Sequence, residues 1–200
     1  DYETRVIQLG ENPNKVFCVG GLGTDSIRRI ELFTKKELSE QLGIEFDCPM
    51  LLVTYHPVTL SKQASFTDLE TLLKALEYFT DCKIIFTMSN ADTDGLKITN
   101  KIKTFVKRNK NTYFFPSLGQ KKYFSCLNYF DALIGNSSSG LLEAPSFRIP
   151  AINIGPRQEG RLKADSVINC EPNEKEIRSA IEKGLSNDFR INLKTVKNPY

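Results

Sequence analysis

Short apolar runs recur along the chain at residues 16–19, 50–55, 83–87, 112–115, 132–134, 151–154 and 166–169, and amphipathic stretches separate most of them. Runs this short, rich in Val, Ile, Phe and Tyr and bounded by polar or turn residues, predict strands. The intervening segments carry the other period: within 68–79, Leu69, Leu72, Leu73 and Leu76 fall on one face of a helix. Thr34 stands three residues before Glu37, and Thr67 three before Glu70, so each pair predicts a capping box. Gly43 predicts the stop of the first helix, and Asn173 predicts the cap of a further one through about residue 185. Strands apolar on both faces, alternating with helices, predict an α/β fold with a doubly wound parallel sheet, Rossmann-like and covered on both sides. Sheets of that kind receive ligands beyond the carboxyl ends of their strands. The strand exits are 20–25, 56–59, 89–95, 116–123, 135–140 and 155–161, and most of the unusual polar residues lie in them.

The richest exit follows the run 132–134. Ser137, Ser138, Ser139 and Gly140 are small, and their backbone N–H groups can face an anion where a helix begins, without a lysine. Glu143 follows Ser139 by four residues, one helical turn, so it shares the serine face. Its carboxylate either accepts ribose hydroxyls or merely complements the first turn of the helix. Arg157 and Arg161 supply forked cations at the next exit, suited to phosphate. His56 is the only histidine and follows the run 50–55, where it is either structural or a partner, acid or base for a diphosphate. Gly20 to Asp25 resembles a phosphate-binding turn but lacks both the dinucleotide spacing and a Walker lysine. Asn90, Asp92, Asp94 and Gly95 imitate the start of a calcium loop, but Lys101 stands where a bidentate glutamate is needed, so no metal is expected.

Composition narrows the partner. With 200 residues and 40% hydrophobic content, the chain suffices for one well-cored domain. Its 27 basic and 24 acidic residues are interspersed, so the net charge of +3 makes no field for nucleic acid or a membrane surface, and a small molecule is expected. Five cysteines, odd in number and without a Cys-x-x-Cys pair, predict reduced thiols and a cytoplasmic setting. No apolar stretch reaches membrane-spanning length. The first residue is Asp1 rather than methionine, which leads us to expect a piece of a longer chain.

The segment from Gly135 through Glu143 to Pro145, followed by Gly155 through Arg161, resembles UDP-N-acetylglucosamine 2-epimerases of the hydrolysing branch. Residues 5–13, 19–25, His56 to Thr59, Asn90 to Asp92 and 117–123 resemble that family in the same order. The resemblance implies the C-terminal nucleotide-binding domain of a GT-B type enzyme, with an interdomain lead-in over 1–25. The N-terminal catalytic domain and a final crossover helix are then expected outside this chain. It implies Ser137, Ser138, Ser139 and Gly140 on the diphosphate, Glu143 on the ribose, and Arg157 and Arg161 on the phosphates. His56, the one catalytic candidate, would meet the leaving group. A loop from Leu118 to Tyr123 would receive the base, with Tyr123 or Phe115 stacking on it. The implied partner is a UDP-sugar, with no cofactor, no nucleic acid and no membrane, and the full-length enzyme is expected to be a homo-oligomer. In the complete enzyme the expected reaction is UDP-N-acetylglucosamine plus water to N-acetylmannosamine plus UDP, a step of sialic acid biosynthesis, while this chain alone would bind nucleotide without turnover. The donor domain of a GT-B glycosyltransferase is the alternative, since the fold is shared. A flavodoxin-like sensor is a third reading, but its usual phosphoacceptor pattern is missing.

Overall fold

The computed structural model describes residues 2–57, 62–88 and 93–200. Six strands, β1 (Met50–Thr54), β2 (Lys83–Thr87), β3 (Thr112–Phe115), β4 (Ala132–Gly135), β5 (Ala151–Ile154) and β6 (Val167–Cys170), form one sheet in the order β3-β2-β1-β4-β5-β6. Every pairing is parallel, including β1 with β4, where Thr54 stands opposite Gly135. The expected doubly wound Rossmann-like architecture is therefore present, and its strand order reverses between β1 and β4.

The period of two decides which face each strand residue serves. Leu51, Val53, Phe86, Ile134 and Ile152 point to one face and join a buried cluster with Leu69, Leu72, Ile98, Ile102, Ile177 and Ile181. Those partners come from α4 (Lys62–Leu76), α5 (Thr93–Arg108) and α8 (Glu174–Leu185). Met50, Leu52, Ile85, Leu133 and Ala151 point the other way, against Leu38, Leu42, Phe124 and Leu127. Those side chains belong to α3 (Lys35–Leu42) and α6 (Gly119–Tyr129). Each central strand is thus sealed on both sides, as a parallel sheet requires.

The helix ends follow local chemistry. Thr34 and Glu37 form the predicted capping box, and Gly43 ends α3 in the left-handed region at φ 66°. Its N–H meets Glu40 O and that of Ile44 meets Ser39 O, a Schellman closure. Asn173 caps α8 through the Glu176 N–H. The second predicted capping box does not form: α4 starts at Lys62, so Thr67 lies inside the helix, where its carbonyl accepts the Thr71 hydroxyl at 2.9 Å. A cap needs non-helical backbone, which an interior position cannot supply. Nor do residues 16–19 make a strand. Phe17 and Val19 stay 76% and 78% exposed, and the run pairs with no strand among the described residues. The loop expected over 118–123 is instead largely the first turn of α6, with Leu118 as its cap residue.

Both ends of the described chain reach the carboxyl edge of the sheet. In α1 (Tyr2–Gln8), the Tyr2 hydroxyl lies 3.0 Å from that of Tyr200, and Arg5 donates to Gly160 O. Tyr200 also donates to Leu162 O, and Asn198 to Leu142 O. Gly21, which caps α2 (Leu22–Arg29), packs against Tyr200.

Gly135 is the tightest point of the fold. Its φ is 136°, and a Cβ there would stand 2.0 Å from Thr54 O. Gly135→Ala must strain the backbone and part β4 from β1, so it should cost about 2–4 kcal/mol or more in a urea titration. A loss below about 1 kcal/mol would show that the strands can separate cheaply.

Candidate functional site

A cleft of about 410 Å³ opens at the carboxyl edge, beside the β1–β4 switch point. Ser137, Ser138, Ser139 and Glu143 form one wall, and Ser117, Leu118, Gly119 and Tyr123 the opposite one. Thr54 and Thr87 lie at its floor, where their hydroxyls hydrogen-bond to each other at 2.7 Å. The size is that of small-molecule sites, and polar atoms converge on it from four strand exits.

The chain leaves β4 as a tight turn into α7 (Ser139–Leu142), with Ser138 at the cap position. The sequence suggested a helix beginning near Ser138. Instead α7 is a single turn that passes at once into a 3-10 turn over Ala144–Phe147, where Pro145 withholds an N–H. So short an element carries little macrodipole, and the available donors are individual N–H groups. Those of Ser137 and Ser138 have no acceptor among the described residues, whereas Ser139 N–H reaches the Ser137 hydroxyl at 3.4 Å and Gly140 N–H reaches Ser137 O. Gly140 is buried and lets α7 press on Ala151 of β5, so its role is packing beneath the turn.

Tyr123 donates its hydroxyl to Ser139 Oγ at 2.7 Å. Burial drives the Tyr123 phenol well above its ordinary range, and the nearby Glu143 carboxylate adds to the rise, so it stays a protonated donor. Its ring is tilted against Phe124, 6.4 Å away between centroids. Burial also raises the Glu143 carboxyl, with the Ser139 hydroxyl pulling the other way. Glu143 Oε2 is buried and has no hydrogen-bond partner among the described residues. A Cβ on Gly23 of α2 would come within 3.1 Å of Glu143 Oε1, so the glycine-rich turn serves as a wall for that carboxylate.

The structure brings Ser137, Ser138, Ser139, Glu143, Leu118 and Tyr123 to one cleft. Phe115 does not line it: the side chain packs with the core on the α3–α6 face, where its place in β3 directs it. Arg157 is half-buried at the β5 exit and donates Nη1 to Asn136 O at 2.9 Å. Burial holds its guanidinium below the usual value, and Arg161 adds like-charge repulsion. Neither arginine has a carboxylate ion-pair partner among the described residues. His56 is buried at the β1 exit, where its main chain is held by Asn136. Asn136 and Gln158 are buried polar residues that sequence reasoning gave no role, and their only advance signal was position inside the richest exits. Residues 58–59 and 90–92, from two segments of interest, lie outside the described residues. Among the described residues no cluster of His, Cys, Asp and Glu is built for a metal, and no helix is long and apolar enough to cross a membrane.

Sheet order and cleft together define a Rossmann-like α/β domain with an open cleft at its topological switch point. All 200 residues match the family model described as UDP-N-acetylglucosamine 2-epimerase, and the chain belongs to that family. It is 40% identical, over 96% of its length, to a Campylobacter jejuni protein named GDP/UDP-N,N'-diacetylbacillosamine 2-epimerase (hydrolyzing), and covers 50% of it. It is 38% identical to the Escherichia coli polysialic acid biosynthesis protein P7, aligned over 100% of this chain and 51% of that one. The chain thus spans about half the length of these curated relatives. The fold is shared with an S. aureus MnaA–UDP structure at TM-score 0.75 and 14% identity, over 99% of this chain and 52% of the other.

The Glu143 shift has a sign that can be measured. Its folded-state value lies above the ordinary 4.5, so between the two the folded chain holds more protons than the unfolded one. Stability therefore falls as pH rises through that gap and is fully present below it. Glu143→Gln removes the loss, so the Tm difference, variant minus wild type, should grow as pH rises above the ordinary glutamate value. A difference that does not change with pH would mean that the carboxyl is not desolvated.

Proposed function

We propose that this chain is the C-terminal nucleotide-binding domain of a hydrolysing 2-epimerase, which acts on UDP-N-acetylglucosamine in the complete enzyme and releases N-acetylmannosamine and UDP. The observation that carries this reading is the pair of N–H groups at Ser137 and Ser138 without an acceptor among the described residues, beside the same cleft as a buried carboxylate whose Oε2 has no partner there. The first suits a diphosphate and the second a pair of ribose hydroxyls, and the spacing of a nucleoside diphosphate joins them. The wall from Ser117 to Tyr123 then takes the base, largely through backbone groups, with the Tyr123 hydroxyl committed to Ser139. The hydrolysing outcome is supported by the name of the 40% identical relative, and sialic acid biosynthesis by that of the 38% identical one.

In that reaction the sugar loses its C2 proton as the C1–oxygen bond breaks, giving a glycal and UDP, and water then adds across the double bond. Negative charge gathers on the departing diphosphate. Arg157, Arg161 and the serine-turn N–H groups oppose that charge, and His56 stands at the neighbouring exit to meet it. Groups that take the proton would come from a further domain facing the cleft. Leu9, Phe17 and Val19 leave a bare apolar surface on the lead-in segment, which such a domain would cover. The reading carries with it a homo-oligomeric full-length enzyme in a reducing cytoplasm, in keeping with five free cysteines.

Calorimetry with UDP, GDP and UDP-N-acetylglucosamine tests the proposal. UDP should bind the 200-residue chain, and Ser138→Pro, which removes that N–H at a φ of -61° that proline adopts, and Glu143→Ala should each weaken it by roughly 10- to 100-fold, the equivalent of about 1.5–3 kcal/mol. Incubation with UDP-N-acetylglucosamine should give no free sugar. UDP affinity that survives both substitutions would sink the site assignment, and turnover by this chain alone would sink the division between domains.

A further inference from the structure

We propose that Asn136 is a positioning residue: by tying the exits of β1, β4 and β5 together, it sets Arg157 against the serine turn and so determines affinity for the phosphate portion of the ligand. The inference rests on the nucleotide reading above. Asn136 is 1% exposed and uses every group it has. Its N–H continues the β4–β1 ladder one step past Gly135, reaching Thr54 O at 3.3 Å. Its side chain then takes over from the backbone: Oδ1 accepts the His56 N–H and Nδ2 donates to His56 O, both at 2.8 Å. An amide side chain that offers one donor and one acceptor imitates a further rung of a strand. The main chain of β4 is thereby released to turn into Ser137–Ser139 while the β1 exit remains held.

The released carbonyl does the second task. Asn136 O accepts Arg157 Nη1 at 2.9 Å and Gln158 Nε2 at 2.8 Å, and Gln158 is fully buried. One of the five guanidinium donors is therefore spent on fixing Arg157, and the others remain for an anion. A guanidinium on a long flexible stem loses conformational freedom when it binds, and prior fixation removes part of that cost. Asn136 itself need never touch the ligand.

The test separates a positioning role from a merely structural one by measuring UDP and uridine together, by calorimetry and by NMR titration. Asn136→Ala should weaken UDP by about 10-fold or more and leave uridine within about two-fold, because only UDP carries the phosphates that Arg157 meets. Combined with Arg157→Ala, it should lose clearly less than the product of the two single effects, since both remove the same contact. Equal losses for UDP and uridine, or fully multiplicative single effects, would overturn the inference. Should Asn136→Ala fail to fold, Gln158→Met keeps the volume, leaves the His56 contacts intact and frees one side of the carbonyl. The UDP-to-uridine ratio should then fall by about three-fold, and an unchanged ratio overturns the inference equally. If the wild-type chain does not bind UDP, the nucleotide reading fails and this inference with it. If the wild type binds and the variants bind alike, this inference alone fails.

Discussion

The close approach of β4 to β1 governs the carboxyl edge of the sheet. At Gly135 the two backbones are so near that no side chain fits, and the φ of 136° is one that glycine alone adopts freely. The strand can therefore leave the ladder abruptly. Because it does so, the serine turn begins at the level of the Thr54 and Thr87 hydroxyls and closes the same cleft that they floor. A side chain at 135 would lift the turn from that floor and open the cleft between Ser137–Ser139 and the wall made by Ser117 and Tyr123. Strand order supplies the crevice, since helices that depart to opposite faces leave the switch point uncovered. The glycine supplies its depth.

The groups around this crevice are held in charge states that cost energy without a ligand. Arg157 is partly desolvated and close to a second guanidinium, with no carboxylate ion-pair partner among the described residues. Glu143, at the end of the single-turn α7, is a desolvated carboxyl with an oxygen that has no hydrogen-bond partner among the described residues. One elongated ligand relieves both if it brings an anion to the arginines and hydroxyl donors to the carboxyl. Such a molecule is polarised in the same sense as the site, and the reverse orientation would set phosphate against Glu143. Specificity for direction thus follows from charge placement before any base-specific contact is considered. Tyr123 stays protonated because its surroundings are too apolar to hold a phenolate, and its hydroxyl is committed to Ser139.

The sheet was legible because buried parallel strands must be apolar on both faces, and 50–55, 83–87 and 132–134 have no other use for so many Ile, Leu, Val and Phe side chains. The same signal misled at 16–19, where β propensity finds no ladder partner, which shows that propensity reports a fit to a pleated surface and not the presence of one. The two threonine–glutamate pairs show a similar limit: identical spacing made a cap at Thr34 and a mid-helix position at Thr67, because the start of a helix depends on residues further upstream. Of the residues that line the cleft, the serines and Glu143 could be singled out from residue type and position. Asn136 could not, because its partners lie 80 residues away at His56 and 21 and 22 residues away at Arg157 and Gln158. A side-chain amide that substitutes for a strand rung has no local pattern. It becomes visible only when both exits are side by side.

A domain that contacts the nucleotide and not the sugar carbon faces a constant problem across enzymes that differ in their sugar. The leaving group is a diphosphate in each case, so the demands on this half are an anion cradle, a cation pair and a ribose acceptor, whichever bond is later remade. Under the proposed reading, such a shared demand fits the 38–40% identity to about half the length of relatives with different names. It also explains why fold and site alone do not separate an epimerase from a transferase, since both must release the same diphosphate. What distinguishes them is the fate of the sugar, and that is decided by the groups that meet its C1 and C2 atoms. Under the proposed reading those groups lie across the cleft, and the part of the chemistry written in this chain is the stabilisation of departure: fixed N–H donors and a guanidinium already held in place before the bond breaks.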